Sequence, residues 1–186
     1  MKRIFDLLLG IATLVLLAVP MLLIAISVRL SSKGPVLYWS ARVGKNNTIY
    51  MMPKFRSMLI DTPVVATHLM NNPDSHLSPI GSFLRHSSLD ELPQLFSVIK
   101  GDMSFVGPRP ALFNQEDLIV LRKEKGVDKL SSGITGWAQV NGRDELSIPD
   151  KVALDVEYLN RQSFWFDMKI LWMTFLKIVS RDGISH

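Results

Sequence analysis

The stretch Leu7 to Val28, LLLGIATLVLLAVPMLLIAISV, carries no charged side chain and decides how the rest of the chain must be placed. As a helix it would reach about 33 Å, roughly the hydrocarbon thickness of a bilayer. A secretory signal peptide would have a shorter apolar region followed by a small-residue cleavage site. Val28-Arg29-Leu30-Ser31 supplies no such site, so membrane insertion is expected. Two geometries stay open. A plain spanning helix would put Lys2 and Arg3 on one side and Arg29 and Lys33 on the other. Both flanks are then positive, and the positive-inside rule selects no orientation. A re-entrant segment would keep both flanks on the same side. Pro20 removes one backbone hydrogen bond and clashes with the carbonyl four residues back, which kinks a helix. A kink permits a returning helix without requiring one.

The composition limits the rest. The chain has 186 residues, 47% of them hydrophobic, with no cysteine and a formal net charge of +4. That length excludes two large domains, and the missing cysteine excludes a disulfide scaffold or a cysteine-ligated zinc site. Charged residues at 20% exclude a disordered, solvating chain. A basic balance can signal nucleic acid, but here the charges are scattered and sit beside a bilayer anchor, so no nucleic-acid partner is expected. The histidines His68, His76, His86 and His186 lack metal-ligand spacing, and neither a Walker sequence nor GxGxxG is present.

From Ser31 onward the pattern is one mixed region without repeats. Val36–Val43 and Thr48–Met52 read as short strands around a turn at Gly44, Asn46 and Asn47. Asn71 to Asp74 reads as a loop. A helix is expected from Leu89 or Asp90 to Lys100, with Leu89, Leu92, Phe96 and Ile99 as its apolar stripe and Gly101 ending it. Ala111–Lys125 reads as helix and Gly133–Arg143 as a glycine-punctuated loop. Pro149 suits the first turn of a helix reaching Asn160. In a last helix, Phe164, Trp165, Met168, Leu171, Trp172, Phe175, Leu176 and Val179 share one half. Asp167, Thr174, Lys177, Ser180 and Arg181 share the other. The apolar half would face either a protein core or a membrane interface. The fold class expected is α+β, mostly helical, with residues 1–30 in the membrane and 31–186 as a small domain of amphipathic helices and short strands.

The densest chemical signal is Arg85-His86-Ser87-Ser88-Leu89-Asp90-Glu91-Leu92-Pro93-Gln94-Leu95. Pro93 belongs in the first turn of its helix, which places Asp90 and Glu91 at or beside the N-terminus. Ser88 with Glu91 also matches a capping box, but that start would push Pro93 past the first turn. The helix dipole there favours an ionised Asp90 and a nearby phosphate. Acidic capping alone is the ordinary explanation of such a pair. Against it stand five cations in glycine- or proline-rich or otherwise constrained settings: Lys54 and Arg56 in PKFRSM, Arg85, Arg109 in GPRP and Arg143 in NGR. Guanidinium groups presented on held backbone suit bidentate phosphate binding. Together with the acidic pair they point to a polyanionic substrate and a divalent cation, since Mg²⁺ uses one or two carboxylates with substrate phosphates.

KFRSM, LRHSSLDELPQLFSVIKGDMSFVGPRP and GITGWAQVNGR, in that order behind an apolar N-terminus, resemble the small monotopic phosphoglycosyl transferases. These bacterial sugar transferases begin glycoconjugate assembly on a polyprenyl phosphate carrier. The resemblance covers essentially the whole chain. It implies an enzyme at the cytoplasmic face of the bacterial inner membrane, with both termini cytoplasmic and a re-entrant helix broken at Pro20. It implies transfer of a sugar 1-phosphate from a UDP-sugar to undecaprenyl phosphate with release of UMP, by a ping-pong route through a phosphosugar on Asp90. Mg²⁺ is implied at Asp90, assistance from Glu91, and phosphate or nucleotide contacts from Lys54, Arg85, Arg109 and Arg143. An N-acetylated amino sugar is the donor first expected. A hexose donor such as UDP-glucose or UDP-galactose is the alternative, and a non-catalytic nucleotide-sugar scaffold is a further one. A homodimer is compatible with all of these. Pro53 before Lys54 and Ser132 before the GITG loop depart from the usual pattern.

Overall fold

In the computed structural model, residues 1–62, 73–142 and 146–180 are described. The apolar stretch forms one helix, α1 (Lys2–Ser31), which continues through Pro20. It lies against the rest of the chain from end to end. Asp6, Gly10, Met21 and Val28 are buried on one side, at helical spacing, while Leu8, Val15, Leu16, Val19 and Leu22 are exposed on the other.

After α1 come the hairpin strands β1 (Leu37–Val43) and β2 (Ile49–Phe55), as the sequence suggests, with Asn46 and Asn47 at positive φ in the connection. The strands pair antiparallel, Val43 opposite Ile49 and Leu37 opposite Phe55. Pro53 is accommodated because β2 is an edge strand of its sheet. The helix α2 (Gly81–His86) leads into a 3-10 turn, Leu89–Glu91, and then α3 (Gln94–Lys100), which ends at Gly101 with φ 104°. The stretch expected as a helix from Ala111 begins instead as β4 (Ala111–Leu112), drawn onto β1 by Val43–Ala111 pairing; α4 (Glu116–Glu124) starts only afterwards. β3 (Met103–Val106) runs parallel to β5 (Ser132–Thr135), so the expected glycine loop is a strand followed by α5 (Trp137–Val140). Helices α6 (Ile148–Arg161) and α7 (Phe164–Ser180) close the fold, Pro149 lying in the first turn of α6. Part of the expected Asn71–Asp74 loop lies outside the described residues.

The apolar stripe foreseen for α3 packs only in part. Leu89 and Leu92 join Met21, Val28, Phe55 and Leu84 against α1, whereas Leu95 and Val98 are buried and Phe96 is exposed. A 3-10 turn advances 120° per residue rather than 100°, so the helical phase slips where the turn hands over to α3 at Pro93.

The apolar half of α7, which the sequence leaves open between a core and an interface, is largely exposed. Trp165 is 80% exposed and Trp172 60%, and Phe175 and Val179 are exposed beside them. Asp167 is buried instead, accepting from Tyr158 Oη at 2.7 Å and from Lys2 Nζ, and Thr174 hydrogen-bonds Thr135 at 2.7 Å. The polar half faces inward because each inward group has a partner there. The apolar half is therefore not a core face.

Both ends of α1 are tied to this body. Arg3 donates to the carbonyls of Val98 and Ile99 in the last turn of α3, where Val98 O also accepts the Gly101 N–H at 3.1 Å. Asp6 accepts the Phe105 backbone N–H at 3.1 Å, completing the free side of β3. At the far end, buried Arg56 donates to Lys33 O at 2.6 Å and to Ser32 O at 2.9 Å. Asp6→Ala strands the Phe105 N–H in a buried setting and should cost about 1–3 kcal/mol. Thermal unfolding in detergent should show that loss, with Asp6→Asn, which keeps an acceptor, recovering most of it.

Candidate active site

The acidic pair sits in the 3-10 turn just ahead of α3, not inside a helix. Ser88 enters the left-handed region, φ 55°, and reverses the chain between α2 and the turn. It makes no side-chain cap, so the capping box is not formed, and Pro93 occupies the α3 cap where its missing N–H does no harm. Leu89 and Leu92 bury the back of the turn against α1, which leaves Asp90 and Glu91 to face the other way.

The two carboxylates have different surroundings. Glu91 Oε1 lies 2.7 Å from Lys54 Nζ and 3.6 Å from Arg109 Nη2. Asp90 is only 8% exposed. Burial pushes its carboxyl above the usual carboxylate range, and the Glu91 charge adds to the push, while Lys54 and Arg85 pull it back. Desolvation makes the carboxylate more basic, and the cations keep an ionised form within reach.

The cations arrive from separate elements. Strand alternation and cross-strand pairing put Arg42, Met52 and Lys54 on one face of the hairpin. Together with Glu91, Gln94 and Arg109 they line a cleft. Arg109 is held on backbone packed too closely for side chains. A Cβ on Gly133 would lie 2.1 Å from Gly107 N, and one on Gly107 would lie 2.2 Å from Ser131 O. Gly107 N–H donates to Thr135 O and Gly133 N–H to Pro108 O, both at 2.9 Å. Two further arginines fix the loop. Arg42 Nη1 donates to Pro110 O at 3.1 Å, and Arg122 Nη1 to Arg109 O at 2.8 Å. Arg122 is itself paired with buried Asp155 at 2.7 Å.

Of the residues expected at the site, Asp90, Glu91, Lys54 and Arg109 come together, and the Arg85 charge acts on Asp90. Arg56 does not belong there; its guanidinium is buried at the end of α1, bonded to Ser32 and Lys33. Arg143 lies outside the described residues. Arg42 and Gln94 were not foreseen. The signal for Arg42 was its strand position two residues before Gly44, legible only once its partner strand and register are known. Among the described residues, no three His, Asp or Glu side chains form a ready metal cage. A divalent cation at Asp90 would have to complete its shell with phosphate oxygens of a ligand, which suits Mg²⁺.

The raised Asp90 carboxyl also bears on stability. A folded-state value above the unfolded one means that ionisation weakens the fold, progressively as pH rises past the unfolded range. Asp90→Asn, which mimics the neutral form, should therefore melt above the wild type at pH 8. The gain should vanish as pH falls below the ordinary carboxylate range, as read by melting temperatures across pH 4–8.

A family model described as bacterial sugar transferase matches residues 1–181. The chain is 40% identical over 194 residues to an undecaprenyl-phosphate glucose phosphotransferase of Komagataeibacter xylinus, covering 98% of this chain and 36% of that protein. It is 39% identical over 185 residues to the UDP-glucose:undecaprenyl-phosphate glucose-1-phosphate transferase of Escherichia coli K12, covering 95% of this chain and 40% of that one. It is 39% identical over 187 residues to the uncharacterized sugar transferase EpsL of Bacillus subtilis 168, covering 100% of this chain and 91% of that one. The chain thus spans well under half the length of the first two relatives and nearly all of the third. The match to the family model takes in every element from α1 to α7, and the chain belongs to the bacterial sugar transferase family.

Proposed function

We propose that the chain transfers a hexose 1-phosphate from a UDP-hexose to undecaprenyl phosphate and releases UMP. The observation that carries the reading is Asp90, buried beside Glu91, with Lys54, Arg85 and Arg109 around the pair. The donor first expected, an N-acetylated amino sugar, gives way to a hexose, because relatives with named substrates are glucose or galactose phosphotransferases.

In the first half-reaction an Asp90 carboxylate oxygen attacks the sugar-bearing phosphorus. The bond from that phosphorus to the bridging oxygen breaks, and the electron pair leaves with UMP. In the second, a phosphate oxygen of the carrier attacks the same phosphorus, and Asp90 departs as carboxylate. The product is an undecaprenyl diphosphate hexose. A carboxylate is a weak nucleophile and a diphosphate repels it, so charge must be screened at the phosphates. Arg109 and Lys54 are held for that task. Mg²⁺, when bound at Asp90, supplies further screening of the phosphate charge. Glu91, gripped by two cations, fixes them relative to Asp90 and is the group that orients the carrier phosphate. The same site can then serve a soluble donor and a lipid acceptor in turn.

The site belongs at the bilayer surface, where the carrier's phosphate stays. The exposed apolar side of α1 and the Trp165, Trp172 and Phe175 face of α7 support a monotopic seat, with residues 1–30 re-entrant and 31–186 cytoplasmic. Lys2 and Arg3 at one end of α1, and Ser32 and Lys33 at the other, are bonded to the same body, which favours both flanks on one side. The chain has no cysteine, so single cysteines placed near each end can report sidedness. Both should label only from the cytoplasm; periplasmic labelling near Lys2 would refute the re-entrant placement.

Wild-type protein given UDP-glucose and Mg²⁺ without acceptor should gain one hexose phosphate on Asp90 and release one equivalent of UMP, read by intact mass and peptide mapping. Asp90→Asn should gain none and lose turnover by several orders of magnitude. Turnover only with UDP-N-acetylhexosamines would overturn the donor assignment. An inert wild type that still binds nucleotide sugars would favour a scaffold.

A further inference from the structure

The cleft contains a cation that the transfer chemistry above leaves without a task. Arg42 lies on the inner face of the hairpin and lines the cleft with Lys54, Glu91 and Arg109. Its hydrogen bonds go to neutral oxygens only, from Nε to Ser40 Oγ at 3.0 Å and from Nη1 to Pro110 O at 3.1 Å. Among the described residues, no carboxylate stands within ion-pair distance of it. Burial, and then the neighbouring Arg109 charge, bring its guanidinium down to about 10, which still leaves it protonated at neutral pH. Three cations therefore line a cleft whose lining holds a single carboxylate, Glu91, already bonded to Lys54 at 2.7 Å. A half-buried guanidinium with no carboxylate paired to it is a ready partner for an anionic ligand.

The position of Arg42 says which anion. The charges that act on Asp90 are Lys54, Glu91 and Arg85. Those that act on Arg42 are Arg109, Glu91, Tyr50 and Tyr38. Arg42 lines the cleft together with Glu91, whereas Asp90, the preceding residue of the turn, is not part of that lining. A phosphate at Arg42 is then a different phosphate from the one that Asp90 attacks. We propose that Arg42 is a binding residue for the nucleotide-side phosphate of the donor, the one that stays on the departing nucleoside monophosphate. The guanidinium reaches it on a strand that also fixes the Pro110 carbonyl, so the same side chain holds both the phosphate and the loop bearing Arg109. The assignment rests on the proposed use of a nucleoside-diphosphate sugar.

Ping-pong kinetics separate the two substrates. In Arg42→Gln, kcat/KM for UDP-glucose should fall tenfold or more, while kcat/KM for undecaprenyl phosphate stays within twofold of wild type. UMP titrated into the full-length protein in detergent, without turnover, should bind at least tenfold more weakly. Arg42→Lys keeps the charge but not the two-point grip, and should recover part of both losses. It also serves if Arg42→Gln fails to fold, which its melting temperature will reveal. Equal losses toward both substrates, or unchanged UMP affinity in the folded variants, would overturn the assignment and reduce Arg42 to loop support. A wild type that turns over no UDP-sugar would overturn the proposed transfer instead. If that protein still binds UMP in an Arg42-dependent way, the phosphate site stands.

Discussion

Glu91 held between Lys54 and Arg109 is the interaction on which the site depends. It joins a strand, a 3-10 turn and a glycine-backed loop that are far apart in the chain. Side-chain exposure of 16% for Lys54 and 17% for Glu91 keeps the pair away from full solvent screening. Lys54, brought to Glu91 in this way, also acts on Asp90. Without such cations, burial and the Glu91 charge would raise the Asp90 carboxyl unopposed. The dyad is thus a division of labour: one carboxylate collects positive charge, and the other is kept reactive by it.

The backing of this arrangement is rigid on both sides. Behind the turn, Leu89 and Leu92 are packed with α1 residues, so the seat of α1 and the position of Asp90 are mechanically linked. Behind Arg109, backbone lies on backbone at Gly107 and Gly133, where no other residue fits. The Asp155–Arg122 pair carries a hydrogen bond through to the Arg109 carbonyl. Asp155 is itself buried, and burial raises its carboxyl while Arg122 opposes the rise. A site that must face a highly charged diphosphate gains from groups that need not reorganise when the charge arrives.

Helix α7 illustrates how a helical wheel can be read in the right phase while the direction it faces stays open. Its two halves are as the spacing gives them. Yet Asp167 and Thr174 are inside, answered by Tyr158, Lys2 and Thr135, while the tryptophans are outside. In water an exposed face of this kind is an interaction surface. Beside α1, whose outer side is equally apolar, it belongs to the same surface chemistry.

Local chemistry alone determined a good deal. The uncharged run from Leu7 to Val28 had to become a long helix. The turn at Asn46 and Asn47 had to separate two strands, and Pro93 had to stand at a helix start with Asp90 and Glu91 just before it. Those outcomes follow from covalent geometry and short-range periodicity, which the order of residues contains. Only the tertiary structure decided that Arg56 anchors α1 while Arg42 lines the cleft. It alone decided that Ala111 joins β1 and that the Gly133 segment pairs with β3. Each of those depends on a partner distant in the chain, and an arginine looks the same in sequence whether its guanidinium meets a carbonyl, a carboxylate or an open cleft.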